Sequence, residues 1–496
     1  MIISVRRITL LISVAVVFFT PGIVSADWPQ FRGPNSDGIY KGKPVPTEFG
    51  PGVNELWSIP LRSGHSSPCI AGSSIFLPTF DRETRKLAVV CIQRLDGKIR
   101  WRRDVPVDAI EKGHPSFNPA SSTPASDGER VVAYFGSYGL ICFDTDGEKL
   151  WDLKMPLTKS YAGNATSPII VGDRVILYRG NYVDHFLLAV DKHTGKELWK
   201  VPQTERFTTS MACTSCPVVA ENKLIVHSAG AIQAFDVSTG KRVWKVACAT
   251  TATSTPVLAA GEVVVATWNQ TGESSLVPTF SAFDKLINEH DKDGDQLISR
   301  DELPRLMVFH RSEGTEAPQN GAPLRFGQVD TNKNGEISAG EWRALREARD
   351  ARRSRIVAHG ILAINIDSNG MLLPKQIRRL ESKSIPEVPS PLYHNGLVYF
   401  VKNGGVLTCL ELKTGKSIYR MRTSGSGTHY SSPIIADGKL FTISGAGRIT
   451  VLSLGPAAKI LATNEMGEPT YATPAVVDGT IYVRTHTRLF AFANQK

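Results

Sequence analysis

Residues Leu188–Val201 read LAVDKHTGKELWKV, and this stretch decides the fold. A small residue, Ala189, lies in an apolar run that ends at Asp191; the turn Thr194-Gly195-Lys196 follows, and a second run carries Trp199. Two short apolar runs about a glycine turn predict a β-hairpin. The ten-residue step from Ala189 to Trp199 recurs from Cys91 to Trp101, Ala234 to Trp244 and Cys409 to Tyr419, and is kept from Ala363 to Leu373 and Val451 to Leu461. From Cys142 to Trp151 it is one residue shorter.

Each hairpin follows a second phrase: a small polar residue, proline, an apolar pair, a turn and an apolar strand. SSPCIAGSSIFL from Ser66 and TSPIIVGDRVIL from Thr166 show it, and further copies start at Ser122, Thr214, Ser254, Pro389, Ser431 and Ala472, eight in all. Proline phrase and hairpin together supply four short strands, and four-stranded units repeating at roughly 40 to 50 residues define a β-propeller. The fold class expected is all-β, an eight-bladed β-propeller of four-stranded blades. After Pro474 the last unit ends at RLFAFANQK without its fourth strand, whereas NELWSIPL, from Asn54 to Leu61, carries Trp57 and precedes the first unit. This N-terminal strand is expected to pair beside Phe490–Phe492 and close the ring, which removes exposed edges.

Blade five is interrupted. EVVVATW from Glu262 should run into GILAIN from Gly360 within about ten residues, yet about ninety intervene. Two stretches inside the insertion have the oxygen-donor spacing that a hard cation needs. DTNKNGEISAGE offers Asp330, Asn332, Asn334, the carbonyl of Glu336, Ser338 and Glu341, with Gly335 at the sharp bend. DKDGDQLISRDE offers Asp291, Asp293, Asp295, the carbonyl of Leu297, Ser299 and Glu302, with Gln296 at the glycine position. Phe280, Phe283 and Ile287 before the first loop and Trp342 and Leu345 after the second fit paired helices, and Ile298 with Ile337 is expected to join the loops as a short strand pair. The insertion resembles an EF-hand pair, which implies Ca²⁺.

The alternation of the proline phrase with A-x-D-x-x-T-G-K-x-x-W resembles the pyrroloquinoline-quinone-like propeller repeat, shared by quinoprotein dehydrogenases and the outer-membrane assembly propeller of Gram-negative bacteria. The opening DWPQFRGPNSDG, Asp27 to Gly38, resembles the start of exported planctomycete propellers. The dehydrogenases place two adjacent cysteines beside the quinone. This chain has no such pair, and no motif here matches their catalytic aspartate or calcium-ligating acids, so the quinone is not expected as a cofactor.

Arg6 and Arg7 followed by the apolar run Ile8–Phe19 and the small residues before Asp27 read as a secretory signal over residues 1–26. Residues 27–53 are then an N-terminal arm, with Trp28 and Phe31 as anchors, 54–279 and 356–496 the propeller, and 280–355 the insertion. The net charge of +10 is spread without polybasic blocks, so nucleic acid is not an expected partner. Of seven cysteines, Cys91, Cys142 and Cys409 hold the small buried position of the repeat; a Cys213–Cys216 disulfide is left open. The loops before each proline and those between second and third strands share one face, which collects His65, Asn118, Asn164, His429, Tyr430 and Tyr471 with Arg179, Lys402 and Arg484. This face is the candidate ligand surface. The reading is an exported, monomeric, calcium-binding propeller, periplasmic or extracellular, that acts as a binding or assembly scaffold for a polysaccharide, peptide or envelope protein. The alternatives are a quinone-dependent oxidoreductase, a carbohydrate-active propeller and an outer-membrane assembly factor.

Overall fold

The computed structural model describes residues 27–205, 214–268, 282–303, 325–354 and 359–495. The signal stretch, Cys213 and Phe280 lie outside these residues. Eight antiparallel sheets of four consecutive blade strands are arranged as a β-propeller. Blades one to four span 69–105, 125–154, 169–202 and 218–247, blade five 257–381, blades six and seven 392–422 and 434–465, and blade eight joins 475–492 to the N-terminal strand Glu55–Pro60. That strand runs antiparallel to Arg488–Phe492, with Trp57 opposite Ala491. The ring closes as the sequence predicts.

The repeat's small residue and its tryptophan are direct cross-strand partners. Ala189 faces Trp199, Cys91 faces Trp101, Ala234 faces Trp244 and Cys142 faces Trp151. A small residue leaves room for the indole, which then reaches the next blade: Trp101 Nε1 donates to Thr145 O at 2.9 Å and Trp151 Nε1 to Lys192 O at 2.8 Å. The glycine of the turn receives that indole at Gly97, Gly147, Gly195 and Gly240. A Cβ on Gly195 would lie 2.6 Å from the Trp151 ring, and one on Gly147 2.8 Å from Trp101. The same contact joins the two chain ends, because Trp57 of blade eight packs on Gly97 of blade one. Burying a tryptophan between blades at five of these steps, Trp57, Trp101, Trp151, Trp199 and Trp244, helps to hold the ring, at about 1.5–3 kcal/mol per side chain.

Two positions depart from the regular spacing. Val451 pairs with Ala462 rather than Leu461, because the turn between these strands is one residue longer, closed by Ser453 N to Lys459 O where the regular turn closes from Asp191 N to Lys196 O, and Leu461 is left 45% exposed. Ala363 pairs with Arg378, not Leu373. Pro374 cannot donate to a sheet ladder, and a 3-10 turn at Pro374–Gln376 delays the fourth strand to Arg378–Glu381. Gly370–Met371 instead adds parallel to Trp244–Lys245 of blade four.

The insertion carries helices Phe283–His290 and Ala339–Ser354 and the antiparallel pair of Ile298 with Ile337. It has its own apolar core, in which Leu286, Ile298, Phe326, Ile337 and Trp342 are buried. Among the described residues no helix is long and apolar enough to cross a membrane.

Candidate functional site

Proline after each blade's first polar residue starts the innermost strand, so one residue per blade is delivered to the axis: Ser67, Thr123, Ser167, Cys216, Thr255, Ser390, Ser432 and Thr473. The backbone N–H of Ser67 donates to Thr123 Oγ1 at 3.0 Å, and that of Thr123 to Ser167 Oγ at 2.9 Å. Ser167 N–H donates to Cys216 Sγ at 3.3 Å, and Cys216 N–H to Thr255 Oγ1 at 3.0 Å. The series continues from Thr255 to Ser390, Ser432 and Thr473. A belt of hydroxyls with one thiol thus runs around the axis, and seven of its eight members satisfy a buried N–H of their neighbour.

All eight belt residues line one axial cavity of about 180 Å³. Its mouth is aromatic. The His65 and Tyr471 rings meet edge to face at 4.6 Å, and Tyr471 meets Tyr430 in the same way at 5.2 Å. Phe117 and Ser116 extend the wall, and Phe31 enters the cavity from the N-terminal arm.

The arm crosses the ring. Trp28 exchanges both backbone hydrogen bonds with Ile70 of blade one, and Pro29 O accepts from Ser126 N of blade two. Arg32 Nη2 donates to Pro391 O of blade six at 2.7 Å, and Gly38 O accepts from Ile435 N of blade seven. Blades two and six are opposite in a ring of eight, so the arm passes over one end of the axis and closes it. The mouth on the pre-proline side stays open. Gly33 makes the crossing possible: its φ is +82° and a Cβ there would lie 3.1 Å from the Trp28 ring, a backbone and a clearance that glycine supplies. Arg32 is fully buried, and desolvation lowers its pKa to about 10.

Of the nine residues assigned to the ligand face, the structure brings His65, Tyr430 and Tyr471 together at the axial mouth. The other six turn inward and are at most 4% exposed. Asn118 bonds Ser63 and the Ala120 N–H, Asn164 bonds the Tyr134 hydroxyl, and His429 donates through Nδ1 to Gly427 O. Arg179 reaches Tyr134, Asp184 and Pro156 O. Arg484 donates to Ser66 Oγ at 2.6 Å and Pro78 O at 2.8 Å, and burial lowers its pKa to about 9. These side chains tie the loops in place; Lys402 is likewise buried. Above Arg484, His65 is held neutral, its pKa lowered to about 3 by burial and then by the charges of Arg484, His486 and Arg82. The belt itself, Ser116, Phe117 and Phe31 are absent from the sequence-based set, although the Ser or Thr before each proline carried the signal.

In the insertion, Asp291, Asp293 and Glu302 bring carboxylate oxygens within 4.8 Å of one another. Gln296 adopts φ +65° where Gly335 has +92°, so the first loop makes the same bend without glycine. Asp330 is 5% exposed and its Oδ1 has no partner among the described residues, while Oδ2 accepts from Gly335 N. Glu341 folds back over the loop to Ser338 and Thr331, and those donors, led by the Ser338 N–H, pull its pKa to about 2. Asp295 and Asn334 each accept a loop N–H two residues on, at Leu297 and Glu336, and Asn332 accepts from Asn334 N.

The geometry defines a class, an eight-bladed propeller with a blind axial cavity of the pyrroloquinoline-quinone-like type. The family described as outer membrane protein assembly factor BamB matches residues 51–317, more than half of the chain, and the chain belongs to that family. Among solved structures, BamB from Moraxella catarrhalis superposes with a TM-score of 0.53 at 11% identity, over 89% of this chain and 97% of that one. A europium-containing methanol dehydrogenase gives 0.53 at 13% identity over 95% and 98%, and the quinohemoprotein alcohol dehydrogenase of Comamonas testosteroni 0.55 at 13% over 95% and 81%. These likenesses are of fold. In sequence, the lanthanide-dependent methanol dehydrogenase of Methylacidiphilum fumariolicum is 35% identical over 69 residues, which is 12% of this chain and 11% of that protein. The Comamonas enzyme is 32% identical over 110 residues, 20% of this chain and 15% of its own length. The chain matches only a small part of each of these relatives.

Proposed function

We propose that this chain is an exported, calcium-binding propeller that acts as a binding scaffold and takes its ligand at the axial mouth. The observation that carries the reading is the aromatic trio His65, Tyr430 and Tyr471 standing over a belt of hydroxyls in a cavity closed at its far end. Ring faces and edges beside hydroxyls suit a polysaccharide end or a peptide segment, with few polar groups fixing orientation. Export rests on the leader-like residues 1–26, and kinship with an outer membrane protein assembly factor fits an envelope partner.

A quinone site does not fit this cavity. Its described lining offers hydroxyls, one thiol and aromatic rings but no carboxylate, so nothing there would hold a divalent ion beside the quinone. The oxygen donors are gathered in the insertion instead, where the two loops suit Ca²⁺ in number and type. The buried Oδ1 of Asp330, without a partner among the described residues, is the strongest support for an ion in the second loop.

The test is calorimetric binding of envelope glycan fragments and envelope-protein peptides to the mature chain and to a Tyr430→Ala, Tyr471→Ala variant. The scaffold reading expects a binder whose affinity falls at least tenfold in the variant. Equal binding by both proteins would overturn the assignment of the axial mouth.

A further inference from the structure

A second cavity, of about 930 Å³, lies between the loops of blades one, two and three. Its walls are the turn at Thr84–Arg85, the connection from blade one to two at Val107–Lys112, the connection from blade two to three at Leu157–Tyr161, and Tyr182 of blade three. We propose that this cleft is a binding site for a short anionic oligosaccharide bearing sugar carboxylates.

Charge is the first argument. Arg85, Lys112 and Lys159 line the cleft against a single acid, Asp108. Among the described residues none of the three cations has an ion-pair partner, whereas on the outer strands of blades one and two Arg102 pairs with Asp104 and Lys149 with Asp152. The buried acid behind the cleft does not cancel this field. Glu111 is 4% exposed and bonded to the Thr158 hydroxyl of the cleft wall; burial raises its pKa to about 8, so it is largely uncharged at neutral pH.

The second argument is shape and surface. Tyr161 is 58% exposed and Tyr182 43% exposed, two large rings, each apolar in body with a polar tip, on the wall of one cleft. Tyr161 is held in place by its ring contact with His114 at 5.5 Å, and His114 Nδ1 is bonded to Ser116. The loops are also locked together. The Phe117 ring fills the space over Gly163, where a Cβ would lie 2.1 Å away, and Tyr182 N donates to Lys159 O at 2.9 Å. A preformed cleft of this volume falls within the range of small-ligand sites, ~300–1,000 Å³. Aromatic faces take sugar rings, the Thr84 and Ser160 hydroxyls take sugar hydroxyls, and the cations take the carboxylates.

The experiment is calorimetry of the full mature chain with a short oligogalacturonate, a neutral maltooligosaccharide of equal length and an oligoglutamate, at low and raised salt. The wild type should bind the oligogalacturonate with an affinity that falls with salt, and the neutral sugar should bind far more weakly. Lys112→Ala combined with Lys159→Ala should weaken binding about tenfold, and Tyr161→Ala should weaken it at low and high salt alike. Tyr471→Ala, at the axial mouth, should leave it unchanged, which separates this site from the one proposed above. All these positions are exposed or half-buried, and an unchanged melting curve confirms that each variant is folded. Unchanged binding by the lysine variant, tighter binding of oligoglutamate than of oligogalacturonate, or equal loss in Tyr471→Ala would each overturn the proposal.

Discussion

The sulfur of Cys216 accepts the backbone N–H of Ser167 at 3.3 Å, a place that serine or threonine hydroxyls fill at neighbouring links of the belt. Burial raises the thiol's pKa, so it stays protonated and serves as a weak acceptor. Cys216→Ser should therefore keep or slightly raise stability. Cys216→Val removes the acceptor and leaves Ser167 N–H buried without a partner, at a cost of about 1–3 kcal/mol. Urea unfolding of both variants checks this; a valine variant as stable as wild type would show that the belt contributes nothing.

Trp28 is 1% exposed and joins the arm to blade one. Trp28→Ala should cost about 3–5 kcal/mol. Gly33→Ala should also destabilise, because its φ of +82° and the indole 3.1 Å away both oppose a side chain. Loss of the arm opens the second end of the axial cavity, so limited proteolysis should cut within residues 27–53 faster in both variants than in wild type.

His227 is fully buried, with Nδ1–H donating to Ser254 O and Nε2 accepting from the Thr250 hydroxyl, both at 2.7 Å. Desolvation lowers its pKa to about 4 from 6.5. Between those values the unfolded chain binds more protons, so stability falls as pH drops from 6.5 towards 4, by on the order of 3 kcal/mol for this group. Chemical unfolding across that range should show the slope, and His227→Gln should flatten it. An identical slope in the variant would assign the acid sensitivity elsewhere.

Glu111 has the opposite sign. Its pKa is raised to about 8 from 4.5 by burial, so its contribution is complete below 4.5 and declines as pH rises to 8. Glu111→Gln should narrow the stability gap between pH 5 and pH 8 by a few kcal/mol, since a tenfold change in proton affinity is worth about 1.4 kcal/mol. An unchanged gap would mean that the carboxyl ionises freely in the folded protein.

The propeller was legible because its repeat has a physical cause at each position. Ala189 must be small to admit Trp199, and Gly195 must be glycine to receive Trp151. The closing strand was legible for the same reason, since Trp57 needs Gly97. Spacing alone misplaced Leu373 and Leu461, where a proline and a turn one residue longer shift the register. The pairing of Ile298 with Ile337 followed from position within the two loops. Side-chain direction was the hidden quantity on the ligand face. Arg179 and Arg484 end the second strands of their blades, beside the loops that the sequence indicates, yet both turn into the protein to bond carbonyls, and no repeat pattern records that choice. The cleft of Tyr161 and Tyr182 is formed by irregular connections between blades, which carry no periodicity at all.

Calorimetric titration of the mature chain with Ca²⁺, set beside an Asp330→Ala, Glu341→Ala variant and with pyrroloquinoline quinone titrated in parallel, separates a scaffold from an oxidoreductase. A scaffold with an ion-stabilised insertion predicts calcium heat in the range of extracellular modules, about 10⁻⁴–10⁻³ M, a reduced signal in the variant, and no saturable quinone heat. Saturable quinone binding without a calcium response would contradict the scaffold reading and make the axial cavity a cofactor site.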